Sequence, residues 1–422
     1  MSSSKNVDVN TESRDDAVVS TVPEWIKPEL FVDLLKNTIP GYKDIGSFKV
    51  ASAVPPGENY ATIILRISIE VVLEDDKTVN KSFIMKTLLN SELIKQQMGN
   101  VEFRVESEMY KNILPEFEKL YTDIGLQVKF GTRAYNLPIK IDYVLLDDLC
   151  QQGFKNVNRL LGLDLAHTEN VLKKLAQFHA ASAVRVATKG MFPEPVMTGI
   201  FKSDYREFIE QMTGGMCRSF LANIQCYDGH EAFIKQVQDL QHSLVTKYFA
   251  LANYVPEDFN VLNHGDSWAN NIMFQHDEDG NINDTCFVDY QIPKYGTPAQ
   301  DLLYFLMSSP NYDIKIRKFD YFIRYYHDHL SENLKLLNYS KKIPTLRELH
   351  IDIHKYGIWA FITSIGTLAA CLFEPNKDAN LENLMSITEE GIALKRKMYS
   401  QESYRKNIEI IMPWLLNRGV LE

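Results

Sequence analysis

The chain has 422 residues, of which 45% are hydrophobic and 24% are charged, a composition typical of a globular protein with a sizeable core. Its 45 Lys and Arg residues are outnumbered by 55 Asp and Glu residues, and the resulting net charge of -10 argues against a nucleic-acid partner, whose phosphates it would repel. Five cysteines without a C-x-x-C pair indicate neither a disulfide framework nor a zinc knuckle, so we expect a reducing, cytoplasmic location.

The N-terminal part of the chain is predicted to contain a helix and a β-hairpin. Residues 1–22 are rich in Ser, Asp, Thr and Asn, lack the apolar run of a secretory signal, and are expected to form a disordered tail. Apolar residues at helical spacing predict a leading helix over residues 24–39. Strict alternation of apolar and polar residues from Tyr60, followed by a turn and a second apolar run at 82–88, predicts two paired strands.

The segment that follows adds one principal helix and two more strands. Residues 101–114 have helical spacing, and we expect Pro115 to end this helix. Two strand-like runs follow at 128–134 and 139–146. Residues 23–146 are therefore predicted to form a small β-rich N-lobe that includes the leading helix.

The remainder of the chain, residues 147–422, is predicted to be a larger, mainly helical C-lobe, as in the helical pattern of residues 168–184. One strand-rich interruption is expected at 261–289. The apolar run 356–373 contains two glycines and several hydroxyl residues and is at the minimum length for a membrane span, so a buried helix is favoured and no membrane contact is expected. The two parts together predict an α+β protein with two lobes.

The densest group of polar residues lies in the strand-rich interruption. Residues 261–274 read VLNHGDSWANNIMF and residues 287–291 read FVDYQ, so the polar residues adjoin apolar runs that indicate buried elements. The Asp266 carboxylate is suited to accept a hydroxyl proton, while the Asn271 amide and the Asp289 carboxylate offer oxygen ligands to Mg²⁺. The interval from Asp266 to Asn271 is that of the catalytic pattern D-x-x-x-x-N, which favours phosphoryl transfer from ATP over a simple surface turn.

Phosphoryl transfer also needs a lysine that binds the ATP phosphates and a helix glutamate that pairs with it. Lys86 lies in the apolar run SFIMKTL, where the alternative is a solvated lysine on an edge strand. Glu106 is preferred over Glu108 as its partner, the alternative being a charge on the helix surface. The turn before the hairpin contains Gly57 and Asn59 as candidate ATP contacts, although it is a weak phosphate-binding loop.

Four segments of the sequence resemble the ecdysteroid kinase-like family of insects, which is related to choline kinases and aminoglycoside phosphotransferases. They are HGDSWANNIMF, FVDYQ, the downstream run DLLYF at 301–305 and the upstream run ENYA at 58–61. The similarity extends from about Val50 to the C-terminal helices. It implies a bilobal protein-kinase-like fold that uses ATP together with Mg²⁺.

The resemblance also implies roles for individual residues. Asp266 would be the catalytic residue, Asn271 and Asp289 would bind Mg²⁺, and Lys86 would orient the ATP phosphates. The phosphate loop departs from the family pattern, because residues 53–56 read AVPP where relatives tend to have an additional glycine.

Further roles follow from the resemblance at the junction of the two lobes. Residues 145–149 would form the hinge against which adenine docks, with Leu146 and Asp148 as ATP contacts. His264 would brace the catalytic loop, and Asp301 would anchor it from behind. The oligomeric state is not predicted.

The acceptor of the phosphoryl group is expected to be a small-molecule alcohol. Only residues 290–300 separate Asp289 from Asp301, and no APE motif follows, which leaves little surface for docking a protein substrate. Family resemblance points to a steroid acceptor, an ecdysteroid, while a xenobiotic, a plant glycoside or a choline-like alcohol would use the same chemistry. A non-catalytic kinase fold that binds an apolar ligand is a third hypothesis, which the intact catalytic residues disfavour.

Other polar and aromatic residues favour structural roles. His179 lies on the apolar face of a helix and is interpreted as a hydrogen-bonded core histidine. Tyr356, Trp359 and Phe361 have helical spacing, which favours core packing over a wall of the acceptor pocket. A metal hydrolase that uses His264 is disfavoured, because no second cluster of histidine ligands is evident.

Overall fold

The computed structural model describes residues 22–54, 62–88, 101–376 and 381–422. Within these ranges the chain forms a five-stranded antiparallel sheet followed by a mainly helical part, which confirms the predicted α+β class. The strands of this sheet are β1 (Tyr42–Ser52), β2 (Thr62–Leu73), β3 (Thr78–Leu88), β4 (Ala134–Tyr135) and β5 (Tyr143–Asp147). Their order in the sheet is β1-β2-β3-β5-β4.

Strands β2 and β3 form the predicted hairpin. Alternate residues of β2, such as Leu65 and Ile67, are buried in the core of the N-terminal part. Strand β3 lies inside the sheet, because Lys86 is paired with Ile64 on β2 and with Val144 on β5. The alternative of a solvated lysine on an edge strand is therefore wrong.

The segment before the hairpin differs from the prediction in two respects. The leading helix is shorter than 24–39, since a 3₁₀ turn at Pro28–Phe31 precedes α1 (Val32–Thr38). Strand β1 was not expected from alternation, because two register irregularities interrupt its pairing with β2 and its burial pattern does not alternate strictly.

The helix predicted at 101–114 continues beyond Pro115. It consists of α2 (Val101–Glu108), a π-helical turn at Met109–Ile113 and α3 (Leu114–Thr122). Pro115 lies in the first turn of α3, where its missing N–H needs no intrahelical partner. The prediction that this proline ends the helix is therefore wrong.

The strand predicted at 128–134 is also wrong, since of this run only Ala134, in the two-residue strand β4, is paired. Phe130 shows the reason: its N–H donates to Glu118 Oε1 at 2.9 Å, and its carbonyl accepts from Tyr290 Oη at 2.6 Å. Side chains thus satisfy backbone groups that a sheet would otherwise pair. The second predicted run contributes β5, which begins later than expected.

The C-terminal part is built mainly of helices around a large apolar core. Its helices are α4 (Leu165–Lys189), α5 (Glu194–Thr198), α6 (Arg206–Ala222), α7 (Ile234–Gln241), α8 (Leu244–Ala252), α9 (Ala299–Ser308), α10 (Tyr312–Lys315), α11 (Phe319–Leu336), α12 (Leu346–Lys355), α13 (Ile358–Ile365), α14 (Thr367–Leu372), α15 (Leu381–Met385), α16 (Glu389–Ser400) and α17 (Glu402–Leu416). The strands are β6 (Phe154–Lys155), β7 (Val261–Asn263), β8 (Ile272–His276), β9 (Ile282–Phe287) and β10 (Lys294–Gly296). The strand-rich interruption predicted at 261–289 is thereby confirmed.

The most apolar segment of the C-terminal part is a pair of short core helices. All eight residues of α13 are buried, which confirms the buried helix predicted there, and a break at Gly366 separates α13 from α14. Within the described ranges no single helix is long and apolar enough to cross a membrane. By length and composition alone, α12 together with α13 and α14 passes that test only as a pair bent by 56°.

Candidate active site

The pairing of short strands brings the polar segments of the sequence together. Asp266 follows β7, and Asn271 ends a 3₁₀ turn that leads directly into β8. Strands β8 and β9 form an antiparallel hairpin in which Ile272 faces Phe287. The Val288 N–H donates to the Asn271 carbonyl at 2.9 Å, so Asp289, the next residue, lies beside the base of the Asp266–Asn271 loop.

The Asp266 carboxylate is held by two hydrogen-bond donors. Asn271 Nδ2 donates to its Oδ2 at 2.8 Å, and the Tyr304 hydroxyl donates to its Oδ1. Burial and the nearby Asp289 carboxylate raise the pKa of Asp266 to about 7, against the opposing effect of these hydrogen bonds. A carboxylate with a pKa near neutrality is suited to accept a proton during catalysis.

Lys86, Glu106 and Asp289 form a buried charge cluster. Lys86 Nζ lies 2.7 Å from Glu106 Oε1 and 2.8 Å from Asp289 Oδ1. Burial by itself would lower the pKa of Lys86, but the two carboxylates outweigh it and raise the pKa, so the ammonium stays charged. The preference for Glu106 as the partner of Lys86 agrees with this geometry, and α2 and β3 position the pair.

Asp301, on the first turn of α9, anchors the loop that carries Asp266. Its carboxylate accepts from the backbone N–H of His264 at 2.6 Å and from that of Gly265 at 3.0 Å. His179 Nε2 contacts the same carboxylate at 3.2 Å, and His179 Nδ1 contacts Tyr326 Oη at 2.6 Å. The interpretation of His179 as a hydrogen-bonded core histidine is therefore confirmed.

His264 connects the loop to the strand that carries Asp289. Its Nδ1 accepts from the Asp266 N–H at 3.2 Å, and its Nε2 lies 3.1 Å from the Val288 carbonyl. This arrangement requires the neutral ring with the proton on Nε2. Burial lowers the pKa of His264, which stabilises that neutral form.

Two residues of the loop region have left-handed backbone conformations. Gly265 has φ +83°, and a Cβ at this position would lie 2.1 Å from the Ile292 carbonyl oxygen, so only glycine fits. Asp289 has φ +69°, a conformation that few residues other than glycine adopt and that recurs at functional sites.

The predicted hinge lies along a cleft of about 580 Å³ between the sheet and the helical part. Lys86, Leu146, Asp266 and Asp289 all contribute to its wall. A cleft of this size falls within the roughly 300–1,000 Å³ range of small-molecule sites. Of the residues predicted to bind ATP or metal, Lys86, Leu146, Asp148, Asn271 and Asp289 thus line one cavity.

Asp148 also lines the cleft, but its carboxylate is engaged within the protein. It accepts from Arg66 Nε at 2.7 Å, from Ser82 Oγ at 2.8 Å and from the Cys150 N–H at 3.0 Å. Its backbone is engaged as well, because its N–H donates to the Ser82 carbonyl at 3.2 Å and its carbonyl accepts from the Gln151 N–H at 3.0 Å. The role of Asp148 as an ATP contact stays a prediction. Gly57 and Asn59 lie outside the described residues.

The ligands predicted for Mg²⁺ have suitable chemistry. Asp289 offers a carboxylate, and the Asn271 amide oxygen is available because its Nδ2 donates to Asp266. Among the residues that the structure describes, no group of three or more His, Cys, Asp or Glu side chains forms a metal site. One carboxylate and one amide oxygen fit Mg²⁺, which proteins commonly bind through one or two carboxylates together with substrate phosphates.

Tyr304 is the site residue that the sequence did not single out. It appears in the run DLLYF only as part of a family resemblance, yet its hydroxyl donates to Asp266 from α9. The one signal for Tyr304 in the sequence is its spacing from Asp301. Residues three apart lie on the same face of a helix, so Tyr304 is expected on the face that carries Asp301.

The fold is kinase-like. A five-stranded sheet is joined to a helical part, and an Asp-x₄-Asn loop and a lysine–glutamate pair lie at their junction. Residues 56–339 match the sequence profile of the ecdysteroid kinase-like family, which covers about two thirds of the chain. The chain belongs to this family. A comparison with curated proteins gave no match.

Proposed function

We propose that the protein is an ATP-dependent phosphotransferase that acts on the hydroxyl group of a small molecule. The observation that carries this proposal is the meeting of Asp266 with the Lys86–Glu106–Asp289 cluster at one cleft. Phosphoryl transfer requires mainly positioning and charge stabilisation, and this set of side chains supplies both.

Lys86 would bind the phosphates of ATP. An ammonium has three N–H donors, and two of them are used by Glu106 and Asp289, which leaves one for a phosphate oxygen. The same two carboxylates keep Lys86 charged and fix its direction. Asn271 and Asp289 would hold Mg²⁺, which when bound neutralises negative charge on phosphate oxygens.

Asp266 would accept the proton of the acceptor hydroxyl. The hydroxyl oxygen forms the new bond to the γ-phosphorus, the bond from that phosphorus to the bridging oxygen of ADP breaks, and the hydroxyl proton passes to Asp266. Tyr304 and Asn271 hold the two carboxylate oxygens in place, so Asp266 loses little freedom when substrate binds.

Membership of the family supports an ecdysteroid as the acceptor, and a xenobiotic, a plant glycoside or a choline-like alcohol would use the same residues. A non-catalytic fold that binds an apolar ligand is less well supported, because Asp266, Asn271 and Asp289 converge on the cleft that Lys86 also lines.

The test is to incubate the purified protein with Mg·ATP and a panel of ecdysteroids, choline-like alcohols and plant phenolic glycosides, and to detect phosphorylated products by mass spectrometry. A phosphorylated ecdysteroid would support both class and acceptor. Another phosphorylated alcohol would keep the chemistry and replace the acceptor. If no product forms and calorimetry detects no Mg·ATP binding, the phosphotransferase proposal is refuted.

A further inference from the structure

A second cavity, of about 210 Å³, adjoins the catalytic loop from the side of the helical part. Gly265 and Tyr304 belong to its wall, and the hydroxyl of the same tyrosine donates to Asp266. Gly265, in the wall of the cavity, directly precedes Asp266, whose carboxylate would accept the hydroxyl proton. This position suits the body of an acceptor whose hydroxyl points toward Asp266.

Much of the wall of this cavity is apolar and aromatic. Phe201, Met216 and Ile362 contribute to it, together with Tyr248 and Trp359, whose ring centroids are 4.7 Å apart. Side chains of this kind favour a ligand with apolar surface. Trp359 was predicted to be a core residue; it is buried as expected, and it also faces this cavity.

Three buried polar atoms in the wall have no hydrogen-bond partner within the described part of the chain. They are Thr213 Oγ1, Gln300 Oε1 and Trp359 Nε1, on residues that are 0%, 3% and 7% exposed. Buried polar groups are nearly always paired in native proteins, and a ligand is one means of pairing them. Together they offer an N–H donor, a carbonyl acceptor and a hydroxyl.

The charges around the cavity disfavour a cationic ligand. The Asp301 carboxylate lines the wall, but the catalytic loop and His179 already use its oxygens. Lys294 also lines the wall, where burial lowers its pKa to about 7 and its Nζ donates to the Ala252 carbonyl. The same Nζ lies 5.5 Å from the centre of the Phe201 ring and covers one aromatic face that a quaternary ammonium could otherwise use.

We propose that this cavity binds the apolar body of the acceptor, and that the group it takes is uncharged, one or two rings in size, and bears a polar oxygen. The inference rests on the proposed phosphotransferase function. A cavity of about 150 Å³ can hold a single benzene ring, so about 210 Å³ accommodates one or two rings but not a whole four-ring steroid. Only one end of a steroid acceptor enters.

The cavity is tested by calorimetry in the absence of nucleotide, with benzyl alcohol, 2-naphthalenemethanol and choline as probes. Trp359→Phe removes the N–H and keeps an aromatic ring, and Thr213→Val removes the hydroxyl at nearly constant volume. Each variant should weaken binding of the aryl alcohols by roughly two- to tenfold, the effect of one lost hydrogen bond. Thr188→Val, a matched change at an exposed position of α4, should leave binding unchanged.

Three outcomes would each overturn the inference. The aryl alcohols do not bind, the wild type and both cavity variants bind them equally, or choline binds more tightly than benzyl alcohol. Transfer from Mg·ATP is measured separately. If the alcohols bind in a manner sensitive to Trp359, but no phosphorylated product forms and calorimetry detects no Mg·ATP binding, the proposed function fails and the apolar cavity remains a ligand site. If products form with a KM that neither variant changes, the function stands and the cavity assignment fails.

Discussion

The Tyr304 hydroxyl tunes the proton affinity of Asp266, and its removal gives a sharp test of the proposed mechanism. Burial and the Asp289 carboxylate raise the pKa of Asp266 to about 7, while the hydrogen bond from Tyr304 lowers it. Below its pKa the carboxyl group is protonated and cannot accept the hydroxyl proton, so kcat/KM falls as the pH decreases through about 7. Tyr304→Phe should move this acidic limb to higher pH.

The size of the shift follows from the strength of the lost hydrogen bond. A hydrogen bond to a charged group contributes about 1.5–3 kcal/mol, and one pKa unit corresponds to about 1.4 kcal/mol, so the pKa should rise by about one to two units. At pH 7 the ionised fraction then falls from about one half to between about one tenth and one hundredth. We expect kcat/KM at pH 7 to decrease roughly five- to fiftyfold, with most of the loss recovered above about pH 9.

The assay is the pH dependence of kcat/KM for the acceptor from pH 5.5 to 9.5, with the phosphorylated product measured by mass spectrometry. Tyr227→Phe is the matched control, since it removes a buried hydroxyl that donates to the Tyr399 carbonyl at 3.1 Å and has no contact with Asp266. The control should keep the wild-type profile. An acidic limb that stays in place in Tyr304→Phe would refute the role of Asp266 as the proton acceptor.

Three further substitutions test the remaining roles. Asp266→Asn should bind Mg·ATP with unchanged affinity in calorimetry but lose roughly 10²- to 10⁴-fold in kcat, and turnover near the wild-type rate would exclude Asp266 as the base. Asp289→Ala should abolish the Mg²⁺ dependence of ATP affinity, and a retained dependence in the same titration would exclude it as a ligand. Lys86→Met should abolish most turnover and lower the free energy of unfolding by about 3–5 kcal/mol, because it leaves Glu106 buried without its partner. Adding Glu106→Gln should restore much of the stability, measured by denaturant unfolding, but none of the activity.

The sequence predicted the fold class and named most residues of the candidate site because the informative residues within each motif are close together in the chain. The alternation in β2 and β3 marks the sheet, and the spacing from Asp266 to Asn271 marks the loop. Local patterns gave wrong predictions at two places. At Phe130 side chains replace the backbone pairing of a strand, and at Pro115 the helix continues after a π-helical turn. Periodicity does not report either feature.

Only the tertiary structure decided which distant residues meet. Asp148 was predicted to contact ATP, but its carboxylate is engaged by Arg66, 82 positions away in the chain. Tyr304 reaches Asp266 across 38 positions, and the cavity beside them collects residues from α6, α9 and α13. The sequence by itself determined which chemical groups are present and how the nearest of them are spaced. The packing of helices against the loop that carries Asp266 decided their partners, because burial fixes hydrogen bonds and pKa values through contacts that no local pattern encodes.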